Sequence, residues 1–141
     1  MSKSANAGEL RTQVYFMRVT RSQDSDGFEP EIEESIFADQ EGAALPALGK
    51  WQNIHGSEVF TAMQLQLRDP VTYTTRYSPQ YDITLIAYLA NEYKAALAAI
   101  AEGEEAEDVL APIRYEVISI DDVENRHQWL EIKLQRKVSA R

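Results

Sequence analysis

The chain has 141 residues, of which 44% are hydrophobic and 26% are charged, and its formal net charge is −9. This size and balance are typical of one globular domain, and they exclude a disordered chain, a fibrous repeat and a two-domain enzyme of ordinary size. Because the chain has no cysteine and only two histidines, disulfides, thiolate nucleophiles and cysteine-based metal sites are excluded, and binding or assembly is favoured over catalysis.

The first half of the chain predicts β-strands. Apolar, β-branched and aromatic residues over 9–20 indicate a strand that is buried on both faces at its middle. A turn at 24–27, a more acidic strand at 29–38 and a loop over 41–50 follow. The clearest alternation of apolar and polar residues, over 59–67, predicts a strand with one face in water.

The second half of the chain continues with strands that turns connect. Further strands are predicted at 71–77, 83–89, 113–120 and 129–138. Six or seven short strands indicate an all-β fold, an antiparallel barrel or sandwich, and a small closed barrel also leaves no strand edge exposed. We therefore predict a single domain, 1–141, whose antiparallel β-barrel body comprises 9–90 and 113–138.

A helical insertion is predicted at 91–112, between two of these strands. The segment is rich in alanine and glutamate, and Tyr93, Leu97 and Ile100 recur in it at helical spacing. This stripe either packs back onto the barrel or projects as an arm that docks on a partner. We predict Tyr93, Leu97 and Ile100 as partner-contact residues.

One acidic turn is a candidate for calcium binding. Asp24-Ser25-Asp26-Gly27 is similar to the start of an EF-hand loop. The sixth and twelfth positions of that loop require Gly and Glu, and here they hold Glu29 and Ser35. A turn between strands is therefore the better interpretation.

Two further groups could serve in acid–base or nucleophilic chemistry. One lies in a single predicted turn and consists of Asp121, Asp122, Glu124 and His127. It could hold a metal or an acid–base pair, but a hairpin tip is the better interpretation. The other is His55 with Ser57, which lacks a third, orienting group. We predict no catalytic, metal-binding or cofactor-binding residue, and no cofactor.

Aromatic residues and charge bear on nucleic-acid binding. A stacking platform for bases could be built from Trp51, Tyr73, Tyr77, Tyr81 and Trp129. On alternating strands, however, such residues more often fill a barrel core. Negative charge is concentrated at 21–42, with −7, and at 101–108, with −5. Tight binding to nucleic-acid phosphates requires a basic stripe, so this charge pattern argues against tight nucleic-acid binding. An acidic surface repels phosphates, which suits a protein past which DNA slides.

The chain shows no signal for a membrane or for export. No apolar run approaches the ~20 residues that span a bilayer. The small, polar segment 1–8 lacks the apolar core of a signal peptide. We therefore expect synthesis in the cytoplasm and no membrane contact.

Six short motifs occur in an order that resembles one protein family. They are Gly8-Glu9-Leu10-Arg11, Asp24-Ser25-Asp26-Gly27-Phe28, Ile36-Phe37-Ala38, Gly56-Ser57-Glu58, Tyr73-Thr74-Thr75-Arg76-Tyr77 and Tyr115-Glu116-Val117-Ile118-Ser119-Ile120-Asp121-Asp122. Over 8–136 this order is similar to that of the phage head–tail joining proteins, also called head-closure, stopper or head–tail adaptor proteins. The insertion at 91–112 departs from the family pattern, so the resemblance implies nothing about its role.

The resemblance implies a structural role and no catalysis. Proteins of this family form a ring, generally dodecameric, in the virion neck, below the portal and its adaptor and above the tail. The ring completes the head after packaging and helps to retain the DNA, which it contacts only passively. We therefore expect a homo-oligomer in the virion, made in the host cytoplasm, whose subunit is a small β-barrel that can be monomeric when free.

Three other functions stay open. A tail-terminator or tail-completion subunit belongs to the same kind of assembly. A ligand- or oligonucleotide-binding barrel of the OB type would bind single-stranded DNA in a salt-dependent way. The third is an enzyme on a small barrel that uses Asp121, Asp122 and His127.

Overall fold

A computed structural model of the chain describes residues 10–21, 31–54 and 69–137. The strands in this part are β1 (Thr12–Arg21), β2 (Glu31–Ser35), β3 (Ala47–Asn53), β4 (Val71–Arg76), β5 (Ile86–Leu89), β6 (Tyr115–Asp122) and β7 (Trp129–Arg136). Between β5 and β6 lie the helices α1 (Ala90–Ala101) and α2 (Ala106–Leu110). Short 3-10 turns follow at Ala111–Ile113 and Val123–Asn125.

Six of the strands close into an antiparallel barrel. Their order is β1-β3-β4-β7-β6-β5, and β5 pairs back to β1. The remaining strand, β2, lies outside the ring: it pairs with β1 over Met17–Arg21, whereas Thr12–Val14 of the same β1 edge pair with β3. This confirms the predicted all-β barrel with a helical insertion between two strands.

The barrel interior is filled by side chains that alternate along each strand. Val14 and Phe16 of β1, Tyr73 of β4, and Ile132 and Leu134 of β7 are fully buried there. Because successive side chains of a strand point to opposite faces, one hydrophobic set per strand suffices to fill the barrel.

The outer face of β1 and β5 is buried as well, under the insertion. Tyr15, Met17 and Tyr88 form a second core cluster with Ala90, and Tyr93 of α1 packs against it. The predicted strand with two buried faces is therefore confirmed. The insertion packs back onto the barrel, because the outer side of these two strands is too apolar to face water.

Several predicted boundaries need correction. The loop predicted over 41–50 is wrong in its second part, since β3 begins at Ala47. β5 begins at Ile86 and not at residue 83. The predicted helix is two helices, separated around Gly103, whose φ is 108°. The turn predicted at 24–27 and the strand predicted at 59–67 lie outside the described residues.

Candidate interaction surfaces

Three connections meet at one end of the barrel, which we call the loop end. They are the β2–β3 loop, 36–46, the β4–β5 loop, 77–85, and the β6–β7 hairpin, 123–128. The Gln80 side chain donates to the Ile36 carbonyl at 2.8 Å, and the Tyr77 N–H donates to the Gln128 carbonyl at 3.0 Å. The three connections therefore form one continuous surface.

A groove of about 430 Å³ opens at this end. Its walls include Phe37, Leu48, Tyr77 and Tyr81. Tyr81 packs edge-on against Phe37, with ring centroids 5.5 Å apart, and against Phe16 of the core at 5.0 Å. Leu48 is 51% exposed although it is apolar. This loop-end groove is thus a rigidly supported, mainly apolar surface, as partner-binding grooves are.

Arg76 lies beside the groove without a carboxylate partner among the described residues. Its guanidinium lies 5.3 Å from the centroid of the Trp129 ring, a cation–π contact with its neighbour in the paired strand. The next residue, Tyr77, contacts the His127 ring at 4.6 Å between centroids. The Arg-Tyr motif found in the sequence therefore presents an exposed positive charge at the end of β4.

The β6–β7 hairpin brings together only two of the four residues that the sequence suggested for acid–base chemistry. Asp122 accepts from the His127 N–H at 3.0 Å, and its other oxygen lies 2.8 Å from His127 Nδ1. Glu124, Asn125 and His127 all have positive φ, as a tight turn requires. His127 is exposed, and the carboxylate closes the turn. The hairpin-tip interpretation is confirmed.

The five aromatic candidates do not form one exposed platform. Tyr73 is fully buried, and its hydroxyl donates to the carbonyls of Thr12, at 2.8 Å, and Ala47, at 3.1 Å. Burial, with a smaller effect of Tyr81, raises the pKa of Tyr73 far above its ordinary value. Burial also raises the pKa of Tyr81 to about 12, against the opposing hydrogen bond with Thr75. Both phenols stay protonated: Tyr73 lies in the core, and Tyr81 is partly buried at the wall of the groove.

The three predicted contact residues of the insertion differ in how far they are buried. Tyr93 stacks on Tyr88 and tilts against Tyr15, with ring centroids 5.0 Å apart in each case. Ile100 is half-buried. Leu97 is 44% exposed. Of the three, Leu97 is the side chain most available to another protein.

A polar network holds the insertion against the barrel. Arg114, just before β6, donates to Glu33 of β2 at 3.0 Å, to Glu107 of α2 at 3.3 Å and to the Tyr88 hydroxyl at 3.0 Å. Tyr88 donates in turn to Glu33 at 2.7 Å. Burial lowers the pKa of Arg114, but the hydrogen bond with Tyr88 and the charge of Glu33 outweigh it, so the pKa is raised and the guanidinium stays charged.

A second arginine, which shares no partner with Arg114, links α1 to the barrel. Arg136 of β7 lies 3.3 Å from Glu92 of α1, and its guanidinium is 4.4 Å from the centroid of the Tyr115 ring. Sequence reasoning missed Arg114 and Arg136. The available signal was an arginine just before β6 and another at the end of β7, the two strands that follow the acidic insertion.

The loop end contains an ion pair whose contribution should depend on pH. Arg18 lies 2.8 Å from Asp82, and both side chains are partly exposed. Partial burial raises the pKa of Asp82, but hydrogen bonds from Thr84 and Arg18 outweigh it, so the pKa lies below its ordinary value. A carboxyl with a lowered pKa stabilises the fold above its unfolded pKa, and this contribution is lost as the pH falls through the folded pKa.

Replacing Asp82 with asparagine should therefore lower the free energy of unfolding slightly at pH 6, by less than about 1 kcal/mol because the pair is exposed. Toward pH 3, below the ordinary pKa of an aspartate, we expect the difference between wild type and variant to shrink. Urea unfolding at both pH values measures this. An equal difference at both would show that the carboxylate charge is not responsible.

Among the described residues, no helix is long and apolar enough to cross a membrane. The same part of the chain contains no group of three or more histidine, aspartate or glutamate side chains placed to hold a metal ion.

Comparisons with known proteins agree with this architecture. The solution structure of protein SF1141 from Shigella flexneri 2a is similar, with a TM-score of 0.58 over 96% of this chain and 100% of that chain. At 15% identity this likeness shows the fold. No curated protein matches the chain.

The family described as phage head completion protein matches residues 5–137, nearly the whole chain. This confirms the resemblance found in the order of the motifs and implies a structural role in the virion. The chain belongs to the phage head completion protein family.

Proposed function

We propose that this chain forms a ring in the virion neck, between the portal or its adaptor and the tail. The ring closes the head after packaging and helps to retain the DNA. The observation that carries this proposal is the family match over 5–137, since head completion takes place at the vertex through which DNA has entered.

The charge of the subunit supports a place beside the DNA path. The net charge is −9, and one residue of each acidic block meets the other in the fold, since Glu33 of the first and Glu107 of the second both contact Arg114. A surface of this sign repels phosphates and so does not hold DNA that must later move. Contact with DNA is passive in this proposal.

The surfaces described above support contact with proteins on two sides. The loop end offers the groove with Arg76, and the insertion offers Leu97 with Tyr93 and Ile100 beneath it. We propose that these surfaces serve the contacts with the portal or adaptor above, with the tail below and with neighbouring copies. The free subunit is a monomer until the portal vertex provides a template.

Quantitative mass spectrometry of purified particles tests the proposal. Empty proheads, DNA-filled heads and complete virions of the phage that encodes the chain are compared. We expect a fixed, ring-like copy number in filled heads and virions and none in proheads, because a head-closing protein is added after packaging.

Other distributions would contradict the proposal in different ways. Presence in isolated tails but not in filled heads would indicate a tail-terminator subunit. Absence from virions would reject the neck assignment. Salt-dependent binding to single-stranded DNA by the soluble protein would then support an oligonucleotide-binding barrel.

A further inference from the structure

The loop end and the insertion lie on different sides of the barrel. In the closed order β1-β3-β4-β7-β6-β5, the groove is lined by the start of β3 and the end of β4, whereas α1 covers β5 and β1. With six strands around the circumference, β3 and β4 lie between a sixth and a half of a turn from β1 and β5, about a third of a turn on average. The two surfaces therefore face in different directions.

Each of the two surfaces has exposed apolar side chains that contact with the other could bury. The loop-end groove has aromatic walls and the half-exposed Leu48 at its rim. The insertion offers Leu97, which is exposed to a similar extent although α1 is otherwise packed on the barrel through Tyr93 and Ala96. Each surface thus leaves a large aliphatic side chain in water, which contact with the other would bury.

They are also complementary in charge. Arg76 beside the groove has no carboxylate partner among the described residues, and Arg126 of the neighbouring hairpin is 65% exposed. Beyond Leu97, the insertion carries Glu102, Glu104 and Glu105. All three are exposed, and none is ion-paired with a described residue. Opposite charges on matching surfaces favour encounter and fix the orientation of a contact.

We propose that the loop-end groove of one copy binds the helical insertion of a second copy. Leu97 enters the groove beside Leu48, and the acidic end of the insertion lies against Arg76. The occupant is a second copy because this one chain carries both complementary surfaces, on different sides. The inference rests on the proposed ring and names the surfaces that build it.

Such a contact is heterologous, since two different surfaces meet. Repeating it adds copies in one direction, and the chain of copies closes into a ring when the rotation between neighbours divides a full turn. The insertion would then be the element that joins neighbouring subunits.

Cysteine cross-linking tests this pairing, because the natural chain has no cysteine. The double variant Leu48→Cys/Leu97→Cys is supplied to the phage that encodes the chain, and purified virions are treated with a short bismaleimide. Only a link between copies adds mass on a denaturing gel. We expect a ladder of dimers, trimers and higher species from the double variant, and no species above a dimer from either single variant.

A matched control places the second cysteine elsewhere on the barrel. Ser119 is exposed on β6, which lies opposite β3 in the closed order. The variant Leu97→Cys/Ser119→Cys should therefore give no ladder. A ladder of equal strength from this control would overturn the assigned pairing.

A charge exchange provides a second measurement that needs no cross-link. Arg76→Glu should lower the amount of protein in virions at least tenfold, and adding Glu105→Lys should restore most of it. Normal incorporation of Arg76→Glu, or no restoration, counts against the proposed contact.

Different results would contradict the proposed contact between copies and the proposed function in the neck. Virions that contain the double-cysteine variant in the normal amount but yield only monomer would overturn the contact and leave the neck assignment intact. Cross-links to a different virion protein would identify that protein as the occupant and also overturn it. Wild-type protein missing from virions would overturn the proposed function itself.

Discussion

Replacing Gly49 with alanine is expected to destabilise the barrel by about 3 kcal/mol, at the upper end of the usual cost of overpacking. A Cβ atom at this position would lie 2.7 Å from the Thr74 carbonyl oxygen and closer still to the Tyr73 ring. Tyr73 cannot move aside freely, because it is fully buried and its hydroxyl donates to the carbonyls of Thr12 and Ala47. Relief of the clash would break these hydrogen bonds.

Thermal and urea unfolding followed by circular dichroism measure this effect. A loss of about 3 kcal/mol corresponds to a melting temperature lower by roughly 10 °C for a domain of this size. Gln52→Ala, on the exposed face of the same strand, is the matched control and should stay within about 0.5 kcal/mol of wild type. Equal losses from the two substitutions would show that the approach of Tyr73 to Gly49 is not the cause.

A double variant locates the clash. With Tyr73→Leu as the background, Gly49→Ala should cost less than it does in wild type, since the ring that the methyl group meets is gone. Neighbouring residues of this kind show coupling of about 0.5–3 kcal/mol. Strict additivity would contradict the packing argument.

Replacing Arg114 with alanine should cost about 3 kcal/mol, because it leaves Glu33 without its cation in a site that is largely shielded from water. The side chains of Arg114 and Glu33 are only 12% and 19% exposed. The variant also removes the link to Glu107 and so loosens the insertion from the barrel. Hydrogen exchange should therefore increase in α1 and α2 before it increases in β4 and β7.

Arg126→Ala is the matched control for the loss of an arginine. Its pair with Glu124 has side chains that are 65% and 40% exposed, so the expected cost is below about 1 kcal/mol. The double variant Arg114→Met/Glu33→Leu should recover part of the stability, because it removes both charges together. If Arg114→Ala were as mild as Arg126→Ala, the network would not be what holds the insertion.

The strand content of the barrel could be predicted because it depends on local pattern. Alternation over 71–77 and 129–138 and the apolar stretch around Val14 each specify a strand whatever the neighbours are. The helical insertion was equally clear, since alanine and glutamate favour a helix by themselves. The order of motifs was enough to indicate the family.

β3 was missed for a reason that is not local. Its sequence, Ala47–Asn53, has no β-branched residue, and glycine weakens a strand by propensity. Gly49 is there because the Tyr73 ring, from the next strand in the sheet, occupies the space of a side chain. The need for glycine at position 49 is set by Tyr73, which lies 24 positions later in the chain. A short window of sequence around Gly49 therefore carries no sign of it.

The loop-end groove and the exposed side of the insertion could not be predicted from the sequence either. Tyr93, Leu97 and Ile100 share one helical stripe, yet only the packing of α1 on Tyr15 and Tyr88 decides that Leu97 is the exposed member. Likewise, Arg76 belongs to a recognisable motif, but its place beside a groove depends on two loops from other parts of the chain.

By itself, the sequence determined the class of fold, the position of the insertion, the family and the separation of negative charge into two blocks. Only the tertiary structure decided that Glu33 and Glu107 of these blocks meet at Arg114, that β1 is covered on its outer face and that the groove and the insertion face in different directions. The physical reason is that period and propensity act between near neighbours in the chain, whereas burial, ion pairing and surface complementarity depend on which distant residues the closed barrel brings together.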